Sequence, residues 1–183
     1  MNIAHFFYEI EIKSLVKYPQ FKKLELILDK EFELLYTQTA TTQILTPGSV
    51  VFKFNDKGDY SFLIKDYGDR IIKRVNETKI DEQNYKRFLK ANLDKGKKVC
   101  MKWQAKQRVY KTEICGDEYK LMLQNITNLG YMLNVLHKRK YLDDVSKHAF
   151  RIRRLIVSFG LEAITPSRFR DAIVEYKKIR YTY

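Results

Sequence analysis

The chain contains 183 residues, 45% of them hydrophobic and 31% charged, and carries a formal net charge of +13 at pH 7. Its length and apolar content suffice for a folded core, which excludes global disorder. No run of eighteen apolar residues is present, and Glu9 and Glu11 interrupt the apolar N-terminal segment. These features exclude a helical membrane span and argue against a secretory signal, so we expect a cytoplasmic protein with no membrane partner.

The cysteines and histidines form no metal-binding pattern in the sequence. Cys100 and Cys115 belong to no CxxC motif, and no histidine stands at zinc-ligand spacing from them. His5 and His137 likewise lack neighbouring ligands. We therefore predict reduced thiols, no metal site and no cofactor.

The first 80 residues are ambiguous at first and then rich in strand patterns. Residues 2–16 fit both a helix and a strand, because apolar residues recur at helical spacing and also alternate with Glu9, Glu11 and Lys13. Residues 21–36 carry an apolar stripe at helical spacing. The segments 50–54, 60–64 and 70–75 are separated by turn residues, and the first two alternate clearly, which predicts an antiparallel meander.

The middle of the chain is predicted to contain one short helix and two more strands. Asp81 is a suitable N-cap for a helix whose apolar side includes Tyr85, Phe88 and Leu89. Residues 99–105 and 109–115 have the pattern of strands.

From Asp117 onward the apolar spacing becomes helical. A narrow apolar stripe predicts a core helix, with a homodimer interface as the alternative, and its members are Tyr119, Met122, Ile126, Leu129, Leu133 and Leu136. Residues 145–159 form a second amphipathic pattern that ends at Gly160, and Thr165 followed by Pro166 marks the start of a third helix. The short connection between the last two helices is typical of a helix-turn-helix.

These elements together predict an α+β fold. An antiparallel, strand-rich N-terminal and central body would be followed by a helical C-terminal segment with a candidate helix-turn-helix. In terms of domains, residues 1–116 form the mixed α/β body and residues 117–183 form the basic helical segment.

Positive charge concentrates toward the C-terminus. Residues 1–80 carry 12 basic and 11 acidic side chains, whereas residues 138–183 carry 12 and 5. Seven of the eleven arginines lie in this last segment, and arginine suits bidentate contacts to phosphates and base edges. The candidate nucleic-acid-binding residues are Lys147, Arg151, Arg154, Arg168, Arg170, Lys177 and Arg180.

The charge distribution favours a non-enzymatic, regulatory protein whose partner is DNA or RNA. The lysine- and tyrosine-rich composition is typical of AT-rich coding, as in a phage, another mobile element, a low-GC bacterium or an organelle, and we expect a viral protein, that of a phage or other mobile element. Two alternatives stay open: an inhibitor or accessory factor that binds a protein or ribonucleoprotein machine, and a metal-dependent nuclease or DNA strand transferase.

Two short segments bear on the enzymatic alternative. Glu11-Ile12-Lys13 resembles the Glu-x-Lys of restriction-type nuclease strands, but the preceding residues leave little room for the acidic metal ligand of those folds. Charge alternation along a strand face is therefore the preferred interpretation. His148-Ala149-Phe150-Arg151, with Tyr176 downstream, resembles tyrosine recombinases but lacks a partner for their early arginine. We assign no catalytic residue.

Overall fold

The computed structural model describes residues 5–47, 50–65, 72–141, 143–165, 167–169, 171–172 and 174–175. Within these ranges the strands and helices are β1 (His5–Val16), α1 (Tyr18–Glu31), β2 (Glu33–Thr46), β3 (Val50–Asn55), β4 (Tyr60–Lys65), β5 (Ile72–Ile80), α2 (Glu82–Asp94), β6 (Lys98–Ile114), β7 (Asp117–Ile126), β8 (Gly130–Arg139) and α3 (Val145–Ser158). Residues 167–169, 171–172 and 174–175 are also helical. No helix in this described part has the length and apolar character needed to cross a membrane.

The strands form one closed antiparallel barrel. Their order around the barrel is β1-β5-β4-β3-β2-β6-β7-β8, and β8 pairs again with β1. Closure pairs each of these strands on both sides, so the sheet has no exposed edge. An eight-stranded barrel has an interior that side chains can fill or that can hold one small ligand.

The outer face of the barrel is apolar where helices cover it. Both α1 and α3 pack on β1, β7 and β8, with Ile10 and Ile12 of β1 against Ile152 of α3 in one buried cluster. A second cluster joins Phe52 of β3 to Tyr85 of α2. Side chains alternate across a strand, so the residues of β1 that lie between these outward isoleucines face the interior.

The predicted α+β fold with a helical C-terminal segment is wrong, because residues 117–139 form the β7–β8 hairpin of the barrel. Leu121 and Leu123 pack outward beneath the helices, and Met122 faces the interior. Both faces of these strands are covered, so apolar residues do not alternate strictly with polar ones. Their spacing also fits a helix, which explains the incorrect prediction.

The predicted helix-turn-helix is wrong as well. The segment that follows α3 is extended, and Ile164 makes an isolated antiparallel bridge to Lys13 of β1. Its backbone N–H donates to the Lys13 carbonyl at 2.9 Å. The connection is therefore anchored on the barrel wall, and no tight turn sets two helices at a recognition angle.

Other local predictions are confirmed in type, and some are corrected in their bounds. Residues 50–55, 60–65 and 72–80 form an antiparallel meander, and the Asp81 side chain caps α2 by accepting a hydrogen bond from the Asn84 N–H at 2.7 Å. The ambiguous first segment is a strand from His5 onward. The helix predicted over residues 21–36 begins earlier and ends at Glu31, and residues 98–114 form one long strand instead of two.

Candidate functional site

Three charged residues of β1 project into the barrel. Glu9, Glu11 and Lys13 alternate with the outward isoleucines, whose side chains pack beneath the helices. Strand pairing places Glu9 opposite Lys73 of β5 on one side and Lys138 of β8 on the other. Directly paired residues share one face of a sheet, so both lysines also face the interior.

Glu11 is the centre of a buried group of ion pairs. Its carboxylate contacts the ammonium groups of Lys13 and Lys73, and its side chain is only 7% exposed. Buried ion pairs add little stability in general, because desolvation offsets much of their attraction, and apolar residues of similar volume often serve as well. A gain in stability therefore does not account for their presence inside this barrel.

Further lysines line the same interior. The Lys138 ammonium lies 3.4 Å from a Glu77 carboxylate oxygen and 4.1 Å from the centre of the Phe7 ring. Lys111 pairs directly with Lys120 across β6 and β7. By strand register the inward-facing charged residues include Lys13, Lys53, Lys73, Lys79, Lys111, Lys120, Lys138, Glu9, Glu11, Glu77 and Glu118. Ammonium groups thus approach the interior from β1, β3, β5, β6, β7 and β8.

Neutral polar side chains also line the interior. Gln124 donates to Gln107 at 2.9 Å, and Asn134 donates to Gln124 at 2.9 Å. The Oδ1 atom of Asn134 is buried and has no hydrogen-bond partner among the described residues. A buried acceptor without a hydrogen bond destabilises the fold by about 1 to 3 kcal/mol. A ligand that donates a hydrogen bond to this oxygen would therefore bind favourably.

The two ends of the interior differ. At one end Trp103, Ile126 and Met132 pack with Phe169, so residues 167–169 lie across an apolar end. The other end, where β7 begins and β8 finishes, is charged. A cavity of about 300 Å³ opens there, lined by Gly116, Asp117, Glu118, Lys120, Leu136, His137 and Lys138. A ligand is therefore expected to enter from the charged end.

Tyr36 of β2 lies on the inward face of its strand, although 37% of the residue is exposed. It pairs with Val109 of β6 on the inward face. Burial raises the pKa of Tyr36, and the negative charges of Glu77 and Asp59 raise it further. Its hydroxyl group therefore keeps its proton at neutral pH and can donate a hydrogen bond.

Carboxylates and ammonium groups in one enclosed space suit a polyphosphate that arrives with a divalent cation. In proteins Mg²⁺ is usually bound through one or two carboxylates together with substrate phosphates. Glu9 and Glu11 meet this requirement, because they lie on the same face of β1 about 7 Å apart along the strand. These two residues would hold such an ion.

The predicted nucleic-acid-binding residues lie outside the barrel. Arg151 of α3 turns toward the barrel and donates to Asp117 at 2.7 Å, whereas Lys147 and Arg154 are exposed. Arg168 is exposed and donates to Glu162 at 2.6 Å. Lys147, Arg151 and Arg154 therefore do not share one environment. The other candidates, Arg170, Lys177 and Arg180, lie outside the described residues. A contact role for these seven residues stays a prediction.

The interior site was not predicted from the sequence, although the alternating charged residues of β1 can be recognised there. The alternation of Glu9, Glu11 and Lys13 indicates only charged residues along one face of a strand, and closure of the barrel makes that face an interior. Sequence reasoning also missed that His137, which has no neighbouring ligand in the sequence, lies beside Asp117 and His148 in the fold.

Comparisons with known proteins identify the fold. Neither a protein-family model nor a curated protein matches the sequence. A solved structure from Pyrococcus horikoshii matches with a TM-score of 0.74 and 13% identity, covering 91% of this chain and 98% of that chain. A putative adenylyl cyclase from Hippeastrum, described as having a dominant triphosphatase activity, matches with a TM-score of 0.58 and 13% identity, covering 87% and 90%. A chain of the Schizosaccharomyces pombe Mediator head module matches with a TM-score of 0.59 and 12% identity, covering 83% and 96%.

These matches correct the expected fold. The predicted viral, helix-turn-helix type of nucleic-acid-binding protein is wrong, because the chain forms a closed barrel, a fold it shares with putative adenylyl cyclases and with a protein described as having a dominant triphosphatase activity. The matches do not test a DNA or RNA partner, which stays a prediction. At these identities the likeness establishes the fold alone, and one fold can serve several functions.

Proposed function

We propose that this protein is a metal-dependent triphosphatase that binds a linear triphosphate inside the barrel. One observation carries the proposal: Glu11 is clamped by Lys13 and Lys73 beside the buried Glu9, in a closed and charged interior. The triphosphatase activity described for the Hippeastrum protein of the same fold supports it.

The lysines supply binding energy for the triphosphate. Lysine is a compact point charge suited to phosphate oxygens, and Lys73, Lys120 and Lys138 approach from different strands. Electrostatic attraction is stronger in an enclosed site of low dielectric constant than in water. A chain of three phosphates therefore fits the arrangement better than a single phosphate does.

The carboxylates supply ligands for the cation. Bound by Glu9, Glu11 and phosphate oxygens, Mg²⁺ or Mn²⁺ would neutralise charge at the transferred phosphoryl group. In the reaction a water oxygen bonds to the terminal phosphorus and the bridging P–O bond breaks. Diphosphate, phosphate and one proton released to solvent are the products, and the lysines stabilise the charge on the leaving diphosphate.

Phosphate release from inorganic triphosphate and from ATP, with Mg²⁺ or Mn²⁺, tests the proposal. We expect Glu11→Gln to lower kcat by about 100-fold or more, as for the loss of a main electrostatic contributor. Glu82→Gln is the matched control, because Glu82 pairs with Lys86 on the exposed surface of α2. Equal activity of Glu11→Gln and wild type, or cyclic AMP as the main product from ATP, would contradict it.

A non-catalytic subunit of a protein assembly is the second candidate. It is favoured by the fold shared with a chain of the Mediator head module and by Phe150 and Val157, which are 59% and 63% exposed on α3. This candidate predicts no hydrolysis by the wild-type protein. It also predicts that Phe150→Ser with Val157→Ser abolishes co-purification of the partner while Glu11→Gln does not.

A further inference from the structure

Three potential metal ligands from three elements converge outside the barrel, between the β7–β8 hairpin and α3. Asp117 is the first residue of β7, His137 lies near the end of β8, and His148 lies in the first half of α3. Their potential ligand atoms lie within 4.8 Å of one another, and the two imidazole rings stack with centroids 4.1 Å apart. All three face away from the interior glutamates, so this cluster is separate from the proposed triphosphate site.

The Nε2 atom of His137 has no hydrogen-bond partner among the described residues, and it is buried. The Nδ1 atom lies 2.6 Å from the backbone carbonyl oxygen of Glu118, and a carbonyl only accepts, so Nδ1 donates. Nε2 is therefore the nitrogen that carries the lone pair when the ring is neutral. Metal-binding histidines are typically fixed in this way, with the second nitrogen donating to a carbonyl oxygen.

His148 is in the same tautomeric state. An Arg139 Nη1 atom lies 2.5 Å from Nε2, and arginine only donates, so Nε2 accepts and Nδ1 donates to the Tyr119 hydroxyl oxygen at 2.7 Å. Burial lowers the pKa of His148, and the neighbouring His137 lowers it further. Because Nδ1 carries the proton, Nε2 is the nitrogen of His148 that can bind a metal once Arg139 moves away.

Asp117 provides an anionic ligand. Burial opposes ionisation, but the hydrogen bond from Arg151 and the neighbouring imidazoles outweigh it and lower the pKa of Asp117. The Arg151 Nη1 atom binds only one of the two carboxylate oxygens, Oδ2, in the contact described above. Asp117 and His137 also line the 300 Å³ cavity, which gives the cluster a route to solvent.

We infer that the Nε2 atoms of His137 and His148 and the carboxylate of Asp117 form a binding site for Zn²⁺ or a similar transition-metal ion. Ligand atoms at about 2.1 Å from a tetrahedral zinc ion lie about 3.4 Å apart, so the side chains need to move closer than the 4.8 Å within which their potential ligand atoms lie. A metal ion binds in the plane of an imidazole ring, so at least one of the two stacked rings, which now make an interplanar angle of 18°, has to turn when the ion binds. Water from the cavity would complete the coordination. Such an ion joins β7, β8 and α3.

The side chain of Arg139 competes with a metal ion for the Nε2 atom of His148. Its guanidinium group supplies the positive charge now next to the His148 Nε2 atom, and its other contact is Asp143 at 3.1 Å. Metal binding displaces this group from His148 toward Asp143 and solvent. Removing Arg139 therefore strengthens metal binding, whereas removing a ligand weakens it.

Titration of the metal-depleted full chain with Co²⁺, followed by visible d–d absorption, tests the inference. We expect one ion per chain with the intense absorption of a tetrahedral site, in wild type and in Glu11→Gln alike, so that the interior carboxylates are not its ligands. The ion should be displaced by Zn²⁺ and should raise Tm. His137→Ala and Asp117→Asn should each weaken binding at least tenfold, and Arg139→Ala should tighten it severalfold. Asp117→Asn keeps the side-chain shape at a partly exposed position, so its result stands even if His137→Ala fails to fold.

His5→Gln and Cys115→Ser are the controls for other ligands in the chain, and both should bind Co²⁺ like wild type. The inference is overturned if wild type gives no d–d absorption, if Asp117→Asn binds with wild-type affinity, or if binding requires Cys115. Binding by the Arg139→Ala variant alone also overturns it, because the natural chain would then have no such site.

Discussion

At the scale of single residues, Glu11 balances two ammonium groups that have little access to water. Glu11→Gln removes this charge and leaves Lys13 and Lys73 facing each other, and loss of one partner of a buried ion pair costs about 3 to 5 kcal/mol. We expect urea unfolding to show a destabilisation of this order. Glu82→Gln breaks an exposed pair and should change the unfolding free energy by less than about 0.5 kcal/mol. Equal effects in the two variants would show that the Glu11 contacts are solvated.

The buried hydroxyl group of Tyr85 makes the stability of the fold depend on pH in the alkaline range. Burial raises the pKa of Tyr85 to about 12, although the hydrogen bond from Gln43 opposes the shift. Above pH 10 the unfolded chain loses this proton while the folded chain keeps it, so stability falls as pH rises, by at most about 1.4 kcal/mol per unit. We expect urea unfolding between pH 9 and 11 to show a shallower decline for Tyr85→Phe than for wild type. Tyr141→Phe, at an exposed position, should follow wild type, and a Tyr85→Phe decline as steep as this control would refute the assignment.

At the scale of elements, the β6–β7 hairpin contains a locally unfavourable turn. Ile114 pairs with Asp117 around Cys115 and Gly116, whose φ angles are 53° and 79°. Two positive φ values define a type I′ turn, which favours asparagine followed by glycine. Cys115→Asn should therefore stabilise the protein by about 0.5 to 1 kcal/mol, as a higher urea midpoint at unchanged m value.

The opposite change provides the control for this turn. Cys115→Val introduces a β-branched residue, which tolerates a positive φ poorly, and should lower the urea midpoint. If both variants shift the midpoint in the same direction, the effect comes from loss of the thiol and not from the backbone conformation.

At the scale of the whole molecule, closure of the barrel makes a ligand in the interior stabilise many strands at once. A ligand present at 100 times its Kd adds about 2.7 kcal/mol to the stability of the folded state. Inorganic triphosphate with Mg²⁺ should thus raise Tm by about 5 to 10 °C for a chain of this size. Lys73→Met should remove most of this increase, measured by differential scanning fluorimetry.

Orthophosphate at matched ionic strength is the comparison for this measurement. Exposed charges are screened by salt, so a shift caused by the basic outer surface would be similar for both anions and for the Lys73→Met variant. A shift specific to triphosphate and lost in Lys73→Met locates the anion in the interior.

Residues close together in the sequence determined several secondary-structure elements of this protein. Alternation around the Asn55–Gly58 turn, the Asp81 cap and the apolar stripe of α3 depend on residues close in sequence, so their patterns predicted β3, β4, α2 and α3 correctly. The net charge of +13 also follows directly from the sequence. The distribution of basic residues along the chain did not show which of them lie close together in the fold.

Tertiary structure decided the rest, for a physical reason that applies to both sites. Strands of a closed barrel are covered on the inside by the opposite wall and on the outside by helices, so β7 and β8 lack the polar face that distinguishes a strand from a helix. The same closure converts the alternating charges of β1 into an interior. Asp117, His137 and His148 are 20 and 11 residues apart in the chain, and only the packing of α3 on the hairpin brings them together.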